Sequence, residues 1–364
     1  MGASSMDASL IGVDECGPMD VCEIDPLRDV RWPAFVRDHP ASSIFHTAGW
    51  LEALRRTYGY EPAALAGSDP RGNLVSALVF CRVNSWLTGR RIVSLPFSDH
   101  CEPLAEDEDG LGRLIAGLRQ RADTGHCKYF ELRPVSLLSE PAFGLAQGQR
   151  FYLHRLDLRP GADEVFHRFH RDCIQRKIRR AEREGLALEE GRTPETLKKF
   201  YNMVLQTRRR QGLPPQPIHW FRNLMDCVGN AAIIRLACKG DQAVAGILTL
   251  EHGKRIVYKY GASDEHFHNL GGMPYLFWRA IQDATGRGIE ELDLGRTDPD
   301  NPGLIAFKEH LGAQRSMLCY RRTPPGNPEG TKVAWKLRLS RLAVRIVPDS
   351  LITATGSLLY RHIA

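Results

Sequence analysis

The order of predicted elements in the first half of the chain recurs in the second half, and this repeat constrains the fold more than any other feature. In the first half, Thr47 is a suitable N-cap for an amphipathic helix that ends at Gly59, and turn residues separate the apolar runs that follow. The pattern predicts a helix from Thr47 to Gly59, strands over 62–66, 74–82 and 91–95, a second helix over 111–118 and a strand over 128–132.

The second half repeats this order at greater length. Thr193 and Pro194 are typical of a helix start, and Gly212 is typical of a helix end. Its predicted elements are helices over 162–184 and 194–211, strands over 231–238, 243–251 and 255–260, a helix over 274–285, a strand over 291–294, a short helix over 304–311 and a strand over 316–321. Two similar series of helices and antiparallel meanders predict an α/β protein with mixed sheets in two tandem domains.

The size and composition of the chain agree with two domains. Its 364 residues are enough for two hydrophobic cores. A pattern-free leader over 1–20 is expected to be disordered, and a Pro-rich stretch follows the second domain. The predicted boundaries are therefore 1–20 for the leader, 21–155 and 156–325 for the domains, and 326–364 for a C-terminal tail.

Charge and cysteine content exclude several classes of protein. The formal charge of +6 suits anionic ligands but falls short of a nucleic-acid-binding composition. Nine cysteines occur singly without a Cys-x-x-Cys pair, so neither a disulfide framework nor a zinc site is indicated, and a reducing compartment is expected. The chain has no apolar run of the roughly 18 to 20 residues that a bilayer crossing needs, and a cytoplasmic location is therefore predicted.

Several short motifs resemble one group of transferases. They are YKYGA at 258–262, DLGR at 293–296, GLIAFK at 303–308 and LGA at 311–313, together with WLEAL at 50–54, GRRIVSLPFSD at 89–99 and Pro103-Leu104. In these motifs the chain resembles Fem-type transferases and, more closely, the FemAB-like GNAT-fold acyltransferases of exosortase and exopolysaccharide systems. The resemblance implies two tandem GNAT-like (acyl-CoA N-acyltransferase) domains with an active cleft at their junction. It also implies direct acyl transfer from a thioester or aminoacyl ester to an amine, without a metal.

Three residues of the second half are candidates for catalysis. The reaction needs a donor or cation at the oxyanion, a base or water for the amine proton, and cations for phosphates. Lys308 follows Phe307 on a short helix and is the first candidate for an electrostatic role, with an exposed helix lysine as the alternative. Arg296 follows a strand and a glycine, where α/β sheets present ligand-binding groups. Asp293 lies on the same side if the strand persists, either as a catalytic group or as the ion-pair partner of Arg296.

The segment between the last strand of the second meander and the next helix is the candidate cofactor loop. GNAT enzymes hold the pyrophosphate of coenzyme A here on backbone N–H groups at a helix N-terminus. The predicted donor is thus an acyl-CoA, with a plain turn as the alternative reading of the loop and aminoacyl-tRNA as the alternative donor. The cofactor-binding candidates are His268, Gly271, Gly272 and Met273, although His268 and Met273 depart from the usual pattern.

Candidate substrate-binding residues lie in both halves. Ser98 and Asp99 follow a strand in a Pro-bounded loop, and Glu131 and Arg133 share one face of a later strand, so these four are expected in an acceptor pocket. His100 and Cys101 are adjacent and should point apart, which argues against a Cys/His nucleophile. A basic helix face is a candidate phosphate-binding surface or simply a solvated face. The remaining substrate-binding candidates are Arg176, Lys177 and Arg180 on that helix and Tyr260 in the YKYGA motif.

The predicted function is acyl transfer to an amine of a cell-envelope or exopolysaccharide precursor, either a small molecule or a lipid-linked one. The tail has Trp335, Leu339, Leu342 and Ile346 at helical spacing between basic residues, which predicts peripheral contact with the inner face of a membrane or docking onto the protein body. One alternative is aminoacyl-tRNA-dependent transfer to a peptidoglycan precursor, disfavoured by the absence of a long helical insertion between 155 and 230. Another is a non-catalytic scaffold at the membrane surface.

Overall fold

The structure is a computed structural model that describes residues 21–136, 142–323 and 359–362. Within these residues twelve strands form one continuous sheet. The strands are β1 (Val21–Ile24), β2 (Glu61–Ser68), β3 (Leu74–Ser85), β4 (Gly89–Ser94), β5 (Phe130–Leu132), β6 (Ala146–Asp157), β7 (Ala187–Gly191), β8 (Ala232–Lys239), β9 (Gln242–His252), β10 (Arg255–Ser263), β11 (Glu291–Thr297) and β12 (Gln314–Thr323). The helices are α1 (Trp32–Asp38), α2 (Ala48–Tyr58), α3 (Glu108–Thr124), α4 (Ala162–Arg168), α5 (Arg176–Arg183), α6 (Pro194–Gln211), α7 (Ile218–Val228), α8 (Gly272–Gly286) and α9 (Pro302–His310).

The two halves of the chain share the middle of this sheet. The strand order is β1-β2-β3-β4-β5-β12-β6-β11-β10-β9-β8-β7. Each half has an antiparallel meander followed by one parallel pair, β4 with β5 in the first half and β10 with β11 in the second. The last strand, β12, lies between β5 and β6 and joins the halves. The boundary predicted at residue 155 falls inside β6, which pairs on both sides with strands of the second half.

The hydrophobic core is continuous between the halves on one face of the sheet. There α2 packs on α7 of the second half, and the indoles of Trp50 and Trp220 meet edge to face at 5.3 Å. On the other face the halves have separate clusters, one under α3 and two under α4, α5 and α8. The junction of the halves is therefore itself a packed layer.

The local signals in the sequence explain the helix ends. The side chain of Thr47 accepts a hydrogen bond from the backbone N–H of Trp50, and Gly59 is left-handed with φ 68°, so α2 begins and ends where its sequence predicts. The helical segment predicted over 162–184 is broken. Phe169 is extended, and a π-helical turn at Arg171–Gln175 separates α4 from α5.

Several elements have no clear sequence signal. The outer strands β1 and β7 and the helices α1 and α7 were not expected from the periodicity, and neither was β6. Most of the predicted tail, 326–364, and the leader, 1–20, lie outside the described residues. No helix among those that are described is long and apolar enough to cross a bilayer. Cys22 is disulfide-bonded, which the scattered cysteines did not predict, whereas the seven others described are free.

Candidate active site

The candidate site lies where the parallel strands β10 and β11 separate. Their pairing runs from Arg255 with Glu291 to Val257 with Asp293 and ends there. Beyond this point β10 continues along β9 with a bulge between Tyr258 and Tyr260, and β11 continues along β6 with a register shift after Asp293. The two strands thus follow different neighbours and leave a split between them. Its closed end is at Val257 and Asp293, and its open end faces the loop that leads into α8.

Lys308 reaches this split from α9. Asn301 caps α9 by accepting a hydrogen bond from Leu304 N–H at 3.2 Å, which fixes the start of the helix. The Lys308 side chain is buried, and its Nζ donates to the carbonyl oxygens of Gly295 (2.9 Å) and Arg296 (3.3 Å). Burial lowers the pKa of Lys308 to about 8. The alternative of an exposed helix lysine is therefore wrong.

An ion pair between the two halves fills the other side of the split. Lys259 Nζ lies 2.9 Å from Asp99 Oδ2, and the Lys259 side chain is only 6% exposed. Burial lowers the pKa of Lys259, although Asp99 opposes this shift. Arg296 Nε lies 3.9 Å from the same carboxylate, and Arg296 donates to the Tyr320 hydroxyl at 2.5 Å. Two cations therefore share one carboxylate beside Gly295.

Asp293 is paired with His100, and its prediction as a partner of Arg296 is wrong. The Asp293 Oδ2 to His100 Nε2 distance is 2.6 Å, and Oδ1 accepts the N–H of Gly295 at 2.7 Å. The physical reason is the register shift, because Gly295 has φ 71° and turns Arg296 out of the alternation that would have placed it beside Asp293. Burial raises the pKa of Asp293, but the charge and hydrogen bond of His100 outweigh this effect and hold it at about 2.

The first-half candidates lie together and mainly hydrogen-bond within their own half, while their place in an acceptor pocket stays a prediction. Arg133 donates to Glu131 at 3.0 Å, to the carbonyl of Leu95 at 2.7 Å and to that of Ser98 at 3.1 Å. The Ser98 hydroxyl donates to Leu95 O at 2.8 Å. Their polar atoms are thus used within the loop after β4, and the result is a fixed position for Asp99 at the split.

His100 and Cys101 do point apart, as the sequence predicts. Cys101 Sγ lies 3.4 Å from Nε2 of His46, whereas His100 contacts Asp293. Burial raises the pKa of the Cys101 thiol to about 12, so a thiolate nucleophile is disfavoured there. His46, Lys259 and Tyr320 were not singled out from the sequence. Only Lys259 had a signal, as part of the YKYGA motif.

The predicted cofactor loop lies at the start of α8, and close packing explains its two glycines. A Cβ on Gly271 would lie 2.4 Å from the carbonyl oxygen of Lys177, and Gly271 has φ 80°. A Cβ on Gly272 would lie 2.9 Å from Ala245 Cβ. Met273 packs in the core, while His268 is exposed and its Nε2 lies 2.9 Å from the Ser263 hydroxyl. The loop is therefore held against α5, whose residue Lys177 is exposed beside it.

The basic helix face is exposed, and part of its charge is paired. Arg176 lies 3.1 Å from Asp172, and Arg180 lies 3.8 Å from Glu184, both as exposed pairs one helical turn apart. Such pairs are weak and leave the cations available to ligands. Tyr260 is instead part of the junction core, since its hydroxyl accepts a hydrogen bond from the Trp220 indole at 2.8 Å. Tyr260, also predicted to bind substrate, therefore lies in the core and not on the exposed helix face of Arg176, Lys177 and Arg180.

Two adjoining cavities open beside the closed end of the split. The larger, of about 630 Å³, is lined by charged side chains of α1, β6 and the β9–β10 turn. The smaller, of about 300 Å³, is lined by His100, Asp293 and Val257 among others. Both cavities include Arg155, Arg255 and Glu291, which therefore form the passage from one to the other.

A group of metal-ligating side chains lies on the opposite side of α9 from this network. His170, Cys173 and His310 place one ligand atom each within 4.8 Å of one another. His170 Nδ1 already accepts backbone N–H groups of Asp172 and Cys173 at 3.2 Å. The expectation of an enzyme without a metal stays a prediction.

Comparison with known proteins shows which proteins the chain is similar to. Residues 168–309 match the family model of the acetyltransferase (GNAT) domain. A solved structure of FemX is similar with a TM-score of 0.64 and 17% identity, over 79% of this chain and 94% of that one. A tandem GNAT protein from the clavulanic acid biosynthesis pathway has a TM-score of 0.52 at 12% identity, over 85% and 100%. L-PGS from Bacillus licheniformis has a TM-score of 0.52 at 16% identity, over 77% and 88%.

No curated protein sequence matches the chain. Residues 168–309 nevertheless match the GNAT acetyltransferase domain, and 79% to 85% of the chain shares the fold of the FemX and tandem GNAT structures. The expected α/β architecture of two GNAT-like domains is confirmed. Fold and domain match together are those of a GNAT-type acyltransferase.

Proposed function

We propose that the protein is an N-acyltransferase that moves an acyl group from an acyl-CoA-type thioester to an amine of a cell-envelope or exopolysaccharide precursor. The observation that carries the proposal is the split between β10 and β11, with the buried cation of Lys308 at its edge. A cation held near a developing oxyanion, in a site that excludes water, stabilises the transition state of acyl transfer. Lys308 is about half protonated at pH 8, because its pKa is about 8.

The donor is proposed to enter from the open end of the split. The α8 N-terminus and the exposed side chain of Lys177 lie there and can meet the phosphates of coenzyme A. Arg210 on α6 lies at the same end, since its guanidinium donates to the carbonyl oxygen of Ser263 at 3.3 Å. The thioester would then extend along the split towards Gly295 and Lys308.

The donor proposal is tested by binding and by transfer. Acetyl-CoA at millimolar concentration should raise the melting temperature of the wild type, and an unchanged melting temperature would count against the acyl-CoA donor. Lys308→Met should keep this stabilisation but lose roughly 10²-fold or more in transfer rate, in line with the loss of one oxyanion-stabilising group. Lys199→Met is the matched control, because Lys199 is 42% exposed and pairs with Glu189 on the outer strand β7. It should keep the wild-type rate.

An aminoacyl-tRNA donor is the second candidate, and the exposed face of Arg176, Lys177 and Arg180 on α5 favours it. Binding through such a face should weaken steeply as salt is raised, with a slope set by the number of phosphates neutralised. Charged tRNA should therefore bind the wild type at low salt and bind a variant with Gln at these three positions with a shallower slope. Failure of the wild type to bind tRNA at low salt would exclude this candidate.

A further inference from the structure

The smaller cavity ends on a buried histidine–aspartate pair that the two halves supply together. His100 and Asp293 are 193 positions apart in the chain, and both are buried, at 5% and 3% exposure. On the basis of the function proposed above, we propose that this cavity is the acceptor pocket and that His100 is the general base for the acceptor amine. The acceptor is then an amine that also carries a phosphate or carboxylate group.

The hydrogen bonds of the pair assign the protons of His100. Asp293 is ionised, because its pKa is about 2, and both its oxygens accept, one from Gly295 N–H and one from His100 Nε2. Nε2 must therefore carry a hydrogen, and in the neutral imidazole the lone pair then lies at Nδ1. Among the described residues none hydrogen-bonds to Nδ1. Phe45 packs edge-on against the imidazole at 5.4 Å and restricts its orientation. Asp293 is thus a positioning residue for a base at Nδ1.

The cavity meets the split at its closed end. Val257 and Asp293 are the last paired residues of β10 and β11, and both also line the smaller cavity. A donor that enters from the open end and an amine in the cavity would therefore meet at this point. The amine nitrogen bonds to the acyl carbon as its proton passes to Nδ1. The carbon–sulfur bond then breaks, and the proton returns to the leaving thiolate.

The passage between the cavities indicates the charge of the acceptor. Arg155 Nε and Arg255 Nε approach the same Glu291 oxygen at 3.6 and 3.5 Å, outside hydrogen-bond range. The Arg155 Nε and Glu291 Oε1 atoms are buried without a hydrogen bond to any described residue. Within the described ranges the buried Nε–H of Arg155 is thus left without an acceptor, which an oxygen atom of a ligand can supply. Guanidinium forks match phosphate and carboxylate geometry, so an anionic group of the acceptor fits this passage.

The first experiment measures transfer from acetyl-CoA to glucosamine 6-phosphate, followed by thiol release. His100→Gln should lower kcat by about 10² to 10⁴-fold and remove the acidic limb of the kcat pH profile, with the KM for acetyl-CoA unchanged. His219→Gln, an exposed histidine on α7, is the control and should keep both the rate and the profile. A His100→Gln rate within about threefold of the wild type would overturn the general-base assignment.

Other charged groups around the pair can shape the pH profile, so the comparison with Asp293→Asn is needed. This variant should also lose rate and shift the profile, because an amide no longer fixes the His100 proton on Nε2. If instead it keeps the wild-type profile, Asp293 does not position the base. The groups that face the pair and its cavity are His46 from the 3-10 helix at Ile44–His46, Glu102 from the loop after β4, Arg155 from β6, His252 from β9, Arg255 from β10, Glu291 from β11 and Lys308 from α9.

A second experiment tests the acceptor class without relying on turnover. Glucosamine 6-phosphate should shift the imidazole ¹⁵N signals of His100 in labelled protein, and plain glucosamine should do so only at much higher concentration. Arg255→Gln should remove most of this difference. If the protein binds acetyl-CoA but glucosamine 6-phosphate causes no shift, the assignment of the cavity as the acceptor pocket is overturned. If acetyl-CoA does not bind, only the proposed donor is overturned. A signal pattern with the hydrogen on Nδ1 would overturn the base.

Discussion

The ion pair of Asp99 and Lys259 should contribute strongly to stability, because it is buried at the junction of the halves. At 2.9 Å the direct attraction is about 6 kcal/mol for an effective dielectric constant of 20, before desolvation is subtracted. Removing one partner of a buried pair typically costs about 3 to 5 kcal/mol, since the other charge stays behind. For Lys259→Met we expect about 3 kcal/mol, because Arg296 at 3.9 Å still faces Asp99.

The assay is urea unfolding followed by circular dichroism and tryptophan fluorescence, with coincident transitions required for a two-state reading. In a double-mutant cycle of Lys259→Met and Asp99→Asn, the coupling free energy should be about 2 kcal/mol or more. Arg56→Met is the matched control, since Arg56 is 54% exposed and pairs with Glu52 along one helix, and it should leave the unfolding free energy nearly unchanged. A coupling below about 0.5 kcal/mol would refute the reasoning.

Three further predictions concern stability. Between about pH 8 and 10.5 the unfolded chain binds more protons at Lys308 than the folded protein does. The unfolding free energy of the wild type should therefore rise by about 3 kcal/mol from this group as pH rises. The same dependence of unfolding free energy on pH in a Lys308→Met variant would contradict this. Asp293 should contribute about 2 kcal/mol above pH 4 that is lost as pH falls towards 2, and Asp293→Asn should lack this loss in acid titrations of unfolding. Gly271→Ala should destabilise α8 by more than about 1 kcal/mol, because its Cβ would meet Lys177 O, whereas Gly286→Ala on the same helix meets no atom and should be neutral or stabilising; equal melting temperatures for the two would rule this out.

Part of the site could be predicted from local sequence. Lys308 and Arg296 were expected together, and Lys308 Nζ does contact the Arg296 carbonyl. Their proximity could be predicted because Gly295 and the cap at Asn301 mark a turn and a helix start between the two positions, while their catalytic role stays a prediction. The prediction of Arg296 as the partner of Asp293 was wrong, because the left-handed Gly295 changes which side the next side chain faces. The sequence also did not predict whether Lys308 is buried or exposed, since a helix of nine residues has too little periodicity to show which face is buried.

The central strand β6 shows why the junction was harder to predict. Its segment begins AQGQR and lacks the alternation of a half-buried strand, so its place beside β11 and β12 has no local signal. The site then depends on pairs that lie far apart in the chain. Asp99 meets Lys259 across 160 positions, and His100 meets Asp293 across 193.

By itself the sequence determined the two repeats, most of their helices and strands, and the class of transferase that its motifs resemble. Periodicity and turn chemistry act over a few residues, and they set these elements before any long-range contact forms. Only the tertiary structure decided that β12 joins the halves, that the split closes at Val257 and Asp293, and that His100 reaches Asp293. These features depend on strand register and on which surfaces pack together, and a small change in either would place different side chains at the junction.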